Sequence, residues 1–436
     1  MIMEQIRYGS RLSGGQVTVP PSKSAAIRAL LCALLTNGKC ILRGMEESED
    51  IQATVCAVQA LGALIDWDKK QRTVTVNTQT EFVHGGTIHC GESGSLLRFI
   101  IPIAAAIGGN WRFTGQGRLP QRPLGVYAEL LPTHGVAFRS GGGLPLEIEG
   151  KLTPGFFALP GNISSQFITG LLFALPLLKA DSEIRLTSPL ESQGYVDMTL
   201  DILHNFGVRL YATPTGWIVP GNQSYTAKEY KVEGDWSQAA FFLNLAALSP
   251  DGAQIRIAGL TKDSLQGDRA CVQVFGRFGL DTWWEDDILV TQNRRASEPF
   301  GGLTGLVMDV SQITDMVPAA SVCAALSQGE TRFLNAGRLR LKESDRLAAM
   351  AGAITALGGK AMDEGDALVV KGVKCLDGGL AQGCNDHRVL MALAGAGLRS
   401  VKPVCVTDPW SIKKTYPNFY EELKKLGGEA DVIKLG

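Results

Sequence analysis

A sixfold internal repeat is the feature that most constrains how this chain of 436 residues can fold. A helix-like segment, a glycine and a strand-like segment recur together at spacings of 73, 72, 72, 79 and 69 residues. Each glycine suits the left-handed conformation that ends a helix. The repeat glycines are Gly62, Gly135, Gly207, Gly279, Gly358 and Gly427.

A second landmark recurs in phase with these glycines: a polar cluster followed by a helix that is apolar nearly all round. The six copies are "SKSAAIRALLCALL", "ESGSLLRFIIPIAAA", "ISSQFITGLLFAL", "DWSQAAFFLNLAAL", "TDMVPAASVCAAL" and "NDHRVLMALAGAG". A helix that is apolar on all sides belongs inside a bundle, whereas an amphipathic helix belongs outside it.

The repeat therefore predicts an α/β fold of two similar domains. Each domain has three units, and each unit has an inner buried helix, a strand, an outer helix and a second strand, so that the sheets lie between helix layers. The break between the two sets of three falls near "KVEGDW", residues 231–236. The alternative from the repeat alone is a solenoid without a binding site.

Composition narrows the classes of partner. The 42 Lys and Arg residues nearly balance the 43 Asp and Glu residues, so no global basic field recruits nucleic acid or a membrane surface. The nine cysteines are scattered and form no CxxC pair, which favours a reducing cytoplasm over a disulfide framework. No signal-peptide core is visible at the start, and the apolar runs are too short to span a bilayer.

Polar and charged side chains concentrate where the inner helices begin. A helix start exposes backbone N–H groups and carries about half a positive charge, so several starts at one end of a domain form an anion site. Lys23 lies just before the first inner helix and Arg28 about one turn inside it. The alternative is an ordinary cap by Ser22 or Ser24, with the basic residues solvated.

Four of the other inner helices begin with comparable groups. Those groups are Gly94 and Arg98, then Ser164, Ser165 and Gln166, then Asp315, and finally Arg388. Asp315 is the odd carboxylate among donors, and it is either a helix cap or a base.

Three basic patches follow the first strand of units two, five and six. They contain Arg118 and Arg122, then Arg338, Lys342, Glu343 and Arg346, and then Lys413 and Lys414. For the second patch the alternative is a solvated helix start with i,i+3 ion pairs. The corresponding positions of the three patches favour a shared role in binding anions.

Together these motifs resemble the EPSP synthase family over essentially the whole chain. The resemblance rests on "PPSKSAAIRAL", "GESGSLLRF", "GRLPQRPLG", "NISSQF", "YVDMTLDIL", "VEGDWS", "ITDMVPAA", "LRLKESDRLAAMA", "NDHRVLMA" and "DPWSIKKTYPNFYEEL". It implies the enolpyruvyl transferase fold, with residues 21–231 as the shikimate 3-phosphate domain. Residues 1–20 would join 232–436 as the phosphoenolpyruvate domain, with the active site in the cleft between the two.

The resemblance also implies the reaction. The enolpyruvyl group of phosphoenolpyruvate moves to the 5-hydroxyl of shikimate 3-phosphate, which gives 5-enolpyruvylshikimate 3-phosphate and phosphate in the shikimate pathway to chorismate and the aromatic amino acids. It implies no metal and no organic cofactor. The expected partners are the two small substrates, with neither nucleic acid nor membrane, and the expected form is a cytoplasmic monomer.

The site residues follow by motif. Lys23, Asp315 and Glu343 are implied as catalytic, with Asp315 as the base toward the 5-hydroxyl and Glu343 as the acid toward the methylene carbon. The residues implied for shikimate 3-phosphate are Lys23, Ser24, Arg28, Ser164, Ser165, Gln166, Ser192, Tyr195, Asp315 and Lys342. Those implied for phosphoenolpyruvate are Lys23, Gly94, Arg122, Gln166, Arg346, Arg388 and Lys414.

The chain departs from better-known members at three places. Glu92 stands where those members carry Asn, Arg338 stands where some use Asn, and "SQGY" replaces the more familiar "SKPY". These departures indicate a divergent branch and leave the response to inhibitors open.

The sequence leaves two rival functions open. An enolpyruvyl transferase acting on UDP-N-acetylglucosamine typically has a reactive cysteine in the unit-two loop, but here that loop reads "GQGRLPQRP". A non-catalytic repeat scaffold or anion-binding module would make Asp315 and Glu343 dispensable caps or ion-pair partners.

Overall fold

The computed structural model describes residues 3–78, 81–226 and 228–435. The chain forms two compact units. Domain I is Pro21–Glu233, and domain II combines Met1–Pro20 with Gly234–Gly436. The sequence prediction put the boundary at 231/232, two residues earlier.

Within the described residues there are twelve α-helices, and the six inner ones alternate with the six outer ones along the chain. The inner helices are α1 (Lys23–Leu35), α3 (Gly94–Ile107), α5 (Ser165–Ala174), α7 (Trp236–Leu248), α9 (Val317–Ala325) and α11 (His387–Leu398). The outer helices are α2 (Glu49–Ala60), α4 (Gly125–Leu130), α6 (Gln193–Asn205), α8 (Cys271–Phe278), α10 (Arg346–Ala356) and α12 (Phe419–Lys425). No helix in this described part is long and apolar enough to cross a membrane.

The same residues form 24 strands. They are β1 (Met3–Tyr8), β2 (Gly15–Thr18), β3 (Gly38–Arg43), β4 (Ala63–Asp68), β5 (Thr73–Thr78), β6 (Gly85–His89), β7 (Gly109–Thr114), β8 (Val136–Ser140), β9 (Leu146–Gly150), β10 (Phe156–Leu159), β11 (Ser182–Leu186), β12 (Tyr211–Thr213), β13 (Gly216–Val219), β14 (Glu229–Lys231), β15 (Ile255–Ala258), β16 (Asp281–Glu285), β17 (Ile288–Gln292), β18 (Val307–Asp309), β19 (Glu330–Leu334), β20 (Lys360–Asp363), β21 (Leu368–Lys371), β22 (Gly379–Ala381), β23 (Val404–Thr407) and β24 (Ala430–Leu435).

These strands form six four-stranded sheets, one for each repeat. The strand orders in domain I are β14-β3-β5-β4, β6-β7-β9-β8 and β10-β11-β13-β12. The orders in domain II are β2-β15-β17-β16, β18-β19-β21-β20 and β22-β23-β1-β24. The α/β fold of six repeated units is confirmed, but each sheet has four strands where the repeat predicted two per unit.

One pairing pattern recurs in all six sheets. An edge strand runs parallel to the strand that follows the inner helix, as β6 does to β7 with Ile88 opposite Phe113. A hairpin-like antiparallel pair then completes the sheet, as β9 and β8 do. In four of the six sheets the parallel pair encloses an inner helix, which is the βαβ arrangement that covers a sheet face.

Two edge strands, β2 and β14, lie next to the points where the chain passes from one domain to the other. In domain II, β2 pairs in parallel with β15. In domain I, β14 pairs in parallel with β3. The N-terminal strand β1 lies between β23 and β24 and is antiparallel to both, so the two ends of the chain share one sheet.

Inner helices supply the middle of each domain's core. In α7 every residue from Trp236 to Leu248 is buried, and α11 is buried from His387 to Leu398. The six repeat glycines have φ between 76° and 121°, as expected for residues that end a helix in the left-handed region.

Candidate functional site

The three inner helices of domain I each begin after a serine that caps the helix. Ser22 accepts from the backbone N–H of Ala25, Ser93 from that of Leu96, and Ser164 from that of Gln166. The capping alternative is therefore correct for Ser22, but it does not account for the charged groups that stand beside the caps.

Lys23 is the first residue of α1, and its ammonium group meets a carboxylate from the next helix. Its Nζ lies 2.9 Å from Oδ2 of Asp50, which stands in the first turn of α2. The two side chains are 15% and 9% exposed. No local sequence signal marks Asp50 as a partner of Lys23.

Arg28 lies one turn into α1 and is 2% exposed. Its Nε donates to Thr199 Oγ1 at 2.8 Å, and Nη2 donates to the carbonyl of Tyr195 at 3.1 Å. Its guanidinium also stacks 4.9 Å from the ring centre of Phe99 in α3. Burial lowers the pKa of Arg28 to about 10, which still leaves it charged at neutral pH. Arg28 thus ties the start of α1 to α3 and α6.

A second arginine ties α3 to α5. Arg98 Nη1 donates to Oε1 of Gln166 at 2.6 Å, and Gln166 Nε2 donates to Ser95 Oγ at 2.9 Å. These bonds fix which way the amide of Gln166 points. Through Arg28 and Arg98 the starts of α1, α3 and α5 meet at one end of domain I.

Gly94 and Arg122 come together at the start of α3. Arg122 is 7% exposed, and a Cβ added to Gly94 would lie 2.2 Å from its Nη1. Any side chain at residue 94 would therefore collide with the guanidinium. The structure brings these two predicted residues into contact, and only glycine permits this approach.

Ser192 and Tyr195 stand where α6 begins. Ser192 has a left-handed backbone with φ of 54° and is 3% exposed. The ring centre of Tyr195 lies 6.0 Å from the guanidinium carbon of Arg28. Tyr195 therefore lies beside α1, and Ser192 precedes it by three residues.

In domain II three cations surround Asp315. Its Oδ1 lies 2.9 Å from Lys342 Nζ and 3.0 Å from Arg346 Nη1, and its Oδ2 lies 3.3 Å from Arg388 Nη2. Arg388 also donates to Ser237 Oγ at 2.9 Å. Because Ser237, Asp315 and Arg388 stand at the starts of the three inner helices, those starts meet here as well.

Arg346 lies at the centre of this cluster, with a side chain that is 1% exposed. Its Nε donates to Asp386 Oδ2 at 2.8 Å, and its Nη2 donates to Glu343 Oε2 at 2.6 Å and to Asp386 Oδ1 at 3.2 Å. With Asp315 included, Arg346 therefore binds three carboxylates.

Asp386 is the residue of this cluster that sequence reasoning missed. It is fully buried, caps α11 by accepting from the N–H of Arg388 at 2.9 Å, and accepts from Ser344 Oγ at 2.8 Å. The signal for a cap was present in "NDHR". Nothing in the sequence indicated its bidentate bond to Arg346.

Charge pairing sets the protonation of these groups. Burial raises the pKa of Asp315, but the three cations outweigh burial and hold its pKa well below the usual value. Burial likewise opposes ionisation of Asp386, yet Arg346, together with His387, brings that pKa down to about 2. Burial lowers the pKa of Lys342, and Asp315 offsets this only in part. Both carboxylates are therefore ionised at neutral pH.

The three basic patches take up equivalent places in the fold. Each forms a 3₁₀ turn after the strand that follows an inner helix, at Leu119–Gln121, Gly337–Leu341 and Pro409–Lys414. In the last of these, Lys414 is 4% exposed and its Nζ donates to the carbonyl of Asn385 at 2.7 Å.

Three other basic residues of the patches have surroundings of their own. Arg118 and Lys413 are exposed, and Lys413 stacks 4.8 Å from the ring centre of Trp410. Arg338 donates to the carbonyl of Ser311. Among the residues implied for phosphoenolpyruvate, Lys23, Gly94, Arg122 and Gln166 belong to domain I, whereas Arg346, Arg388 and Lys414 belong to domain II.

The clusters can bind anions and can hold an acid and a base. Arginine forks suit planar carboxylates and phosphates, and the helix starts add partial positive charge. In the described ranges no group of three or more His, Cys, Asp or Glu side chains is placed to hold a metal ion.

Known proteins resemble this chain over nearly its whole length. The family model described as EPSP synthase (3-phosphoshikimate 1-carboxyvinyltransferase) matches residues 6–423. A 3-phosphoshikimate 1-carboxyvinyltransferase of Clostridium kluyveri is 40% identical over 424 residues, 97% of each chain. One from Clostridium perfringens strain 13 is 42% identical over 416 residues, which cover 95% of this chain and 96% of the relative.

Solved structures share the fold at lower identity. EPSP synthase from Acinetobacter baumannii superposes with a TM-score of 0.79 at 23% identity, covering 99% of this chain and all of the other. The enolpyruvyl transferase NikO from Streptomyces tendae gives a TM-score of 0.78 at 15% identity and covers both chains fully. These two likenesses establish the fold.

Proposed function

This chain belongs to the EPSP synthase family, the 3-phosphoshikimate 1-carboxyvinyltransferases, and from that premise we propose how its two residue clusters act. The enzyme transfers the enolpyruvyl group of phosphoenolpyruvate to the 5-hydroxyl of shikimate 3-phosphate and releases phosphate, in aromatic amino acid biosynthesis. The proposal assigns both clusters to this one reaction.

Shikimate 3-phosphate is assigned mainly to domain I. Its phosphate receives hydrogen bonds from the region where α5 begins, and its ring contacts the start of α6. The residues assigned to it are Lys23, Ser24, Arg28, Ser164, Ser165, Gln166, Ser192 and Tyr195, with Asp315 and Lys342 from domain II. What supports this is the meeting of inner-helix starts around Arg28 and Arg98, since helix starts and arginines both favour a phosphate.

Phosphoenolpyruvate is assigned to Lys23, Gly94, Arg122, Gln166, Arg346, Arg388 and Lys414. Gly94 leaves room for Arg122, and Gln166 is held in a fixed orientation by Arg98. Arg346 already uses four of its five N–H donors on three carboxylates, so at most one N–H remains for a ligand. Arg388 and Lys414 are the more accessible partners for the carboxylate of this substrate.

Asp315 and Glu343 supply the proton transfers. Glu343 in its protonated form gives its proton to the methylene carbon of phosphoenolpyruvate, which creates an oxocarbenium-like centre. Asp315 takes the proton of the 5-hydroxyl as its oxygen attacks that centre. The tetrahedral intermediate then expels phosphate, which leaves with the proton that Asp315 took, and the methyl carbon returns its proton to Glu343. The observation that carries the proposal is that Arg346 joins both carboxylates, at 3.0 and 2.6 Å.

Substrate binding also explains how Asp315 can act as a base. A carboxylate surrounded by three cations is a weak base because its pKa is depressed. When substrate anions take over Arg388 and Lys342, Asp315 loses two positive neighbours while its burial remains, so its pKa rises. The base is thereby activated only when both substrates are present.

The test is release of inorganic phosphate by the purified protein. We expect release only when shikimate 3-phosphate and phosphoenolpyruvate are both present. Asp315→Ala and Glu343→Ala are expected to lower turnover by about 100-fold or more while largely retaining ligand binding. Glu364→Gln, which removes an exposed carboxylate of the same domain, is the matched control and should behave as wild type.

Three results would refute the proposal. One is no phosphate release with both substrates. Another is equal release when UDP-N-acetylglucosamine replaces shikimate 3-phosphate, which would favour the rival transferase. The third is near-normal turnover in both alanine variants, which would favour the non-catalytic scaffold.

We further propose that the enzyme is a cytoplasmic monomer that binds neither nucleic acid nor membrane. The scattered cysteines and the near balance of charge support this. Light scattering coupled to size-exclusion chromatography tests it, and a mass of two chains or more would refute the monomer.

A further inference from the structure

Asp50 stands out as a buried carboxylate whose charge is directed at a single predicted substrate ligand. Its Oδ2 lies 2.9 Å from Lys23 Nζ, and Asp50 as a whole is 6% exposed. Its neighbour Glu49, in the same first turn of α2, is exposed. A carboxylate that only stabilised the start of α2 through the helix dipole could stay exposed to solvent, as Glu49 does. The burial of Asp50 therefore needs a separate reason.

The backbone that carries Asp50 is held firmly. Ser48 caps α2 by accepting from the N–H of Ile51 at 3.4 Å, and Thr54 donates its hydroxyl to the carbonyl of Asp50 at 2.8 Å. Thr54 is fully buried. The carboxylate of Asp50 therefore offers a fixed reference point, unlike a side chain on a mobile loop.

Lys23 needs such a reference point more than an arginine would. A lysine head group ends a flexible four-carbon stem and carries three N–H donors in no fixed plane. A group assigned to contact both substrates has to hold its position as bonds form and break, and a displacement of about 1 Å can cost on the order of 100-fold in rate. The ion pair with Asp50 uses one donor and restricts the stem.

We propose that Asp50 is a positioning residue of the transferase, which acts by fixing the ammonium group of Lys23 where it meets the two substrates. This inference rests on the proposed function, since it takes Lys23 as a substrate ligand. Asp50 itself exchanges no proton and contacts no reacting atom.

The first experiment compares Asp50→Asn with Glu49→Gln. Each removes one carboxylate charge from the same helical turn and keeps the side-chain volume. We expect Asp50→Asn to lower kcat/KM by about 100-fold and to raise KM for both substrates, with Glu49→Gln within about twofold of wild type. A folding defect would lower only the concentration of active enzyme and would leave KM unchanged.

A double-mutant cycle then tests whether Asp50 acts through Lys23. Because Lys23→Met removes a substrate ligand, the cycle is measured as affinity for shikimate 3-phosphate by calorimetry. We expect Asp50→Asn to weaken binding about tenfold in the wild-type background and by no more than about twofold when Lys23 is already Met. Equal losses in the two backgrounds would overturn the proposal.

Asp50→Glu keeps the inference falsifiable if the Asn variant folds poorly. It retains the charge beside Lys23 but moves the carboxylate by one methylene, so kcat should fall about tenfold. A rate equal to wild type in Asp50→Asn or Asp50→Glu would overturn the positioning role. These failures differ from failure of the proposed function, which is no phosphate release by the wild-type protein itself.

Discussion

Replacing Asp386 with Asn probes the centre of the domain II cluster. The substitution keeps the shape of the side chain and its ability to cap α11, because Asn is as good an N-cap as Asp. It removes the negative charge that accepts two hydrogen bonds from Arg346, at 2.8 and 3.2 Å. The loss of folding stability in this variant should therefore measure the ion pair with Arg346 and not the cap of α11.

The magnitude follows from the pKa of Asp386. Arg346, together with His387, lowers that pKa from 3.8 to about 2. At 1.36 kcal/mol for each pKa unit, the ionised carboxylate stabilises the folded state by about 2 kcal/mol at neutral pH. Leaving a buried cation short of a partner costs about 3–5 kcal/mol in general, but Arg346 keeps Asp315 and Glu343. We therefore expect a destabilisation of about 2–3 kcal/mol.

The pH dependence has a definite sign. A carboxylate with a depressed pKa stabilises the fold above its unfolded pKa of 3.8, and this contribution disappears as pH falls through about 2. The difference between wild type and Asp386→Asn should be full at pH 7 and fall to roughly half at pH 3. Denaturant unfolding followed by circular dichroism at the two pH values measures it.

Asp363→Asn is the matched control. Asp363 also receives two hydrogen bonds from one arginine, Arg340, but its side chain is 24% exposed. An exposed pair contributes about 0–1 kcal/mol. If Asp386→Asn costs no more than Asp363→Asn, or if its cost is the same at pH 7 and pH 3, the reasoning about the buried cluster is wrong.

Two further predictions concern the ligands. Gly94→Ala places a Cβ 2.2 Å from Nη1 of Arg122, so the guanidinium must move. KM for phosphoenolpyruvate should therefore rise about tenfold, while KM for shikimate 3-phosphate stays unchanged. Equal changes in the two KM values would contradict the assignment of Arg122 to phosphoenolpyruvate. Asp315→Asn should slow phosphate release by about 100-fold or more. The same variant should bind phosphoenolpyruvate several-fold more tightly in calorimetry, because Arg388 no longer pairs with the Asp315 carboxylate. Weaker binding would refute the idea that Asp315 competes with the substrate for Arg388.

The sequence indicates the inner helices well because local signals agree there. In α7 the cap Asp235 precedes thirteen residues that are all buried, and "DWSQAAFFLNLAAL" shows both features. The same agreement of cap and apolar run marks α1 and α11. The repeat glycines are equally local, since each has a positive φ that a side chain would strain.

The sheets depend on contacts that no local pattern contains. The three residues of β14 pair with β3 almost 190 residues earlier, and β1 pairs with strands at the far end of the chain. Edge strands such as β18 are three residues long and show no period of their own. The sequence therefore indicated two strands per unit where four are present.

The candidate site divides in the same way, into residues marked by local sequence signals and residues whose partners are known only from the folded chain. Helix starts and basic patches indicated Lys23, Arg122, Asp315 and Arg388, because those residues stand beside visible landmarks. Asp50 and Asp386 were missed, since each acquires its partner only by folding, across 27 residues to Lys23 and 40 residues to Arg346. A buried carboxylate at a helix start looks like an ordinary cap until its cation is known.

The position of β1 between β23 and β24 has a consequence for how the protein is made. Domain I is one continuous stretch, so it can fold as soon as its last residues leave the ribosome. In domain II, β1 cannot pair until β23 and β24 have been synthesised, because β1 lies between those two strands in its sheet. Removing β1 would therefore divide the sheet that contains β23 and β24. During synthesis, domain I should become resistant to proteolysis before domain II does.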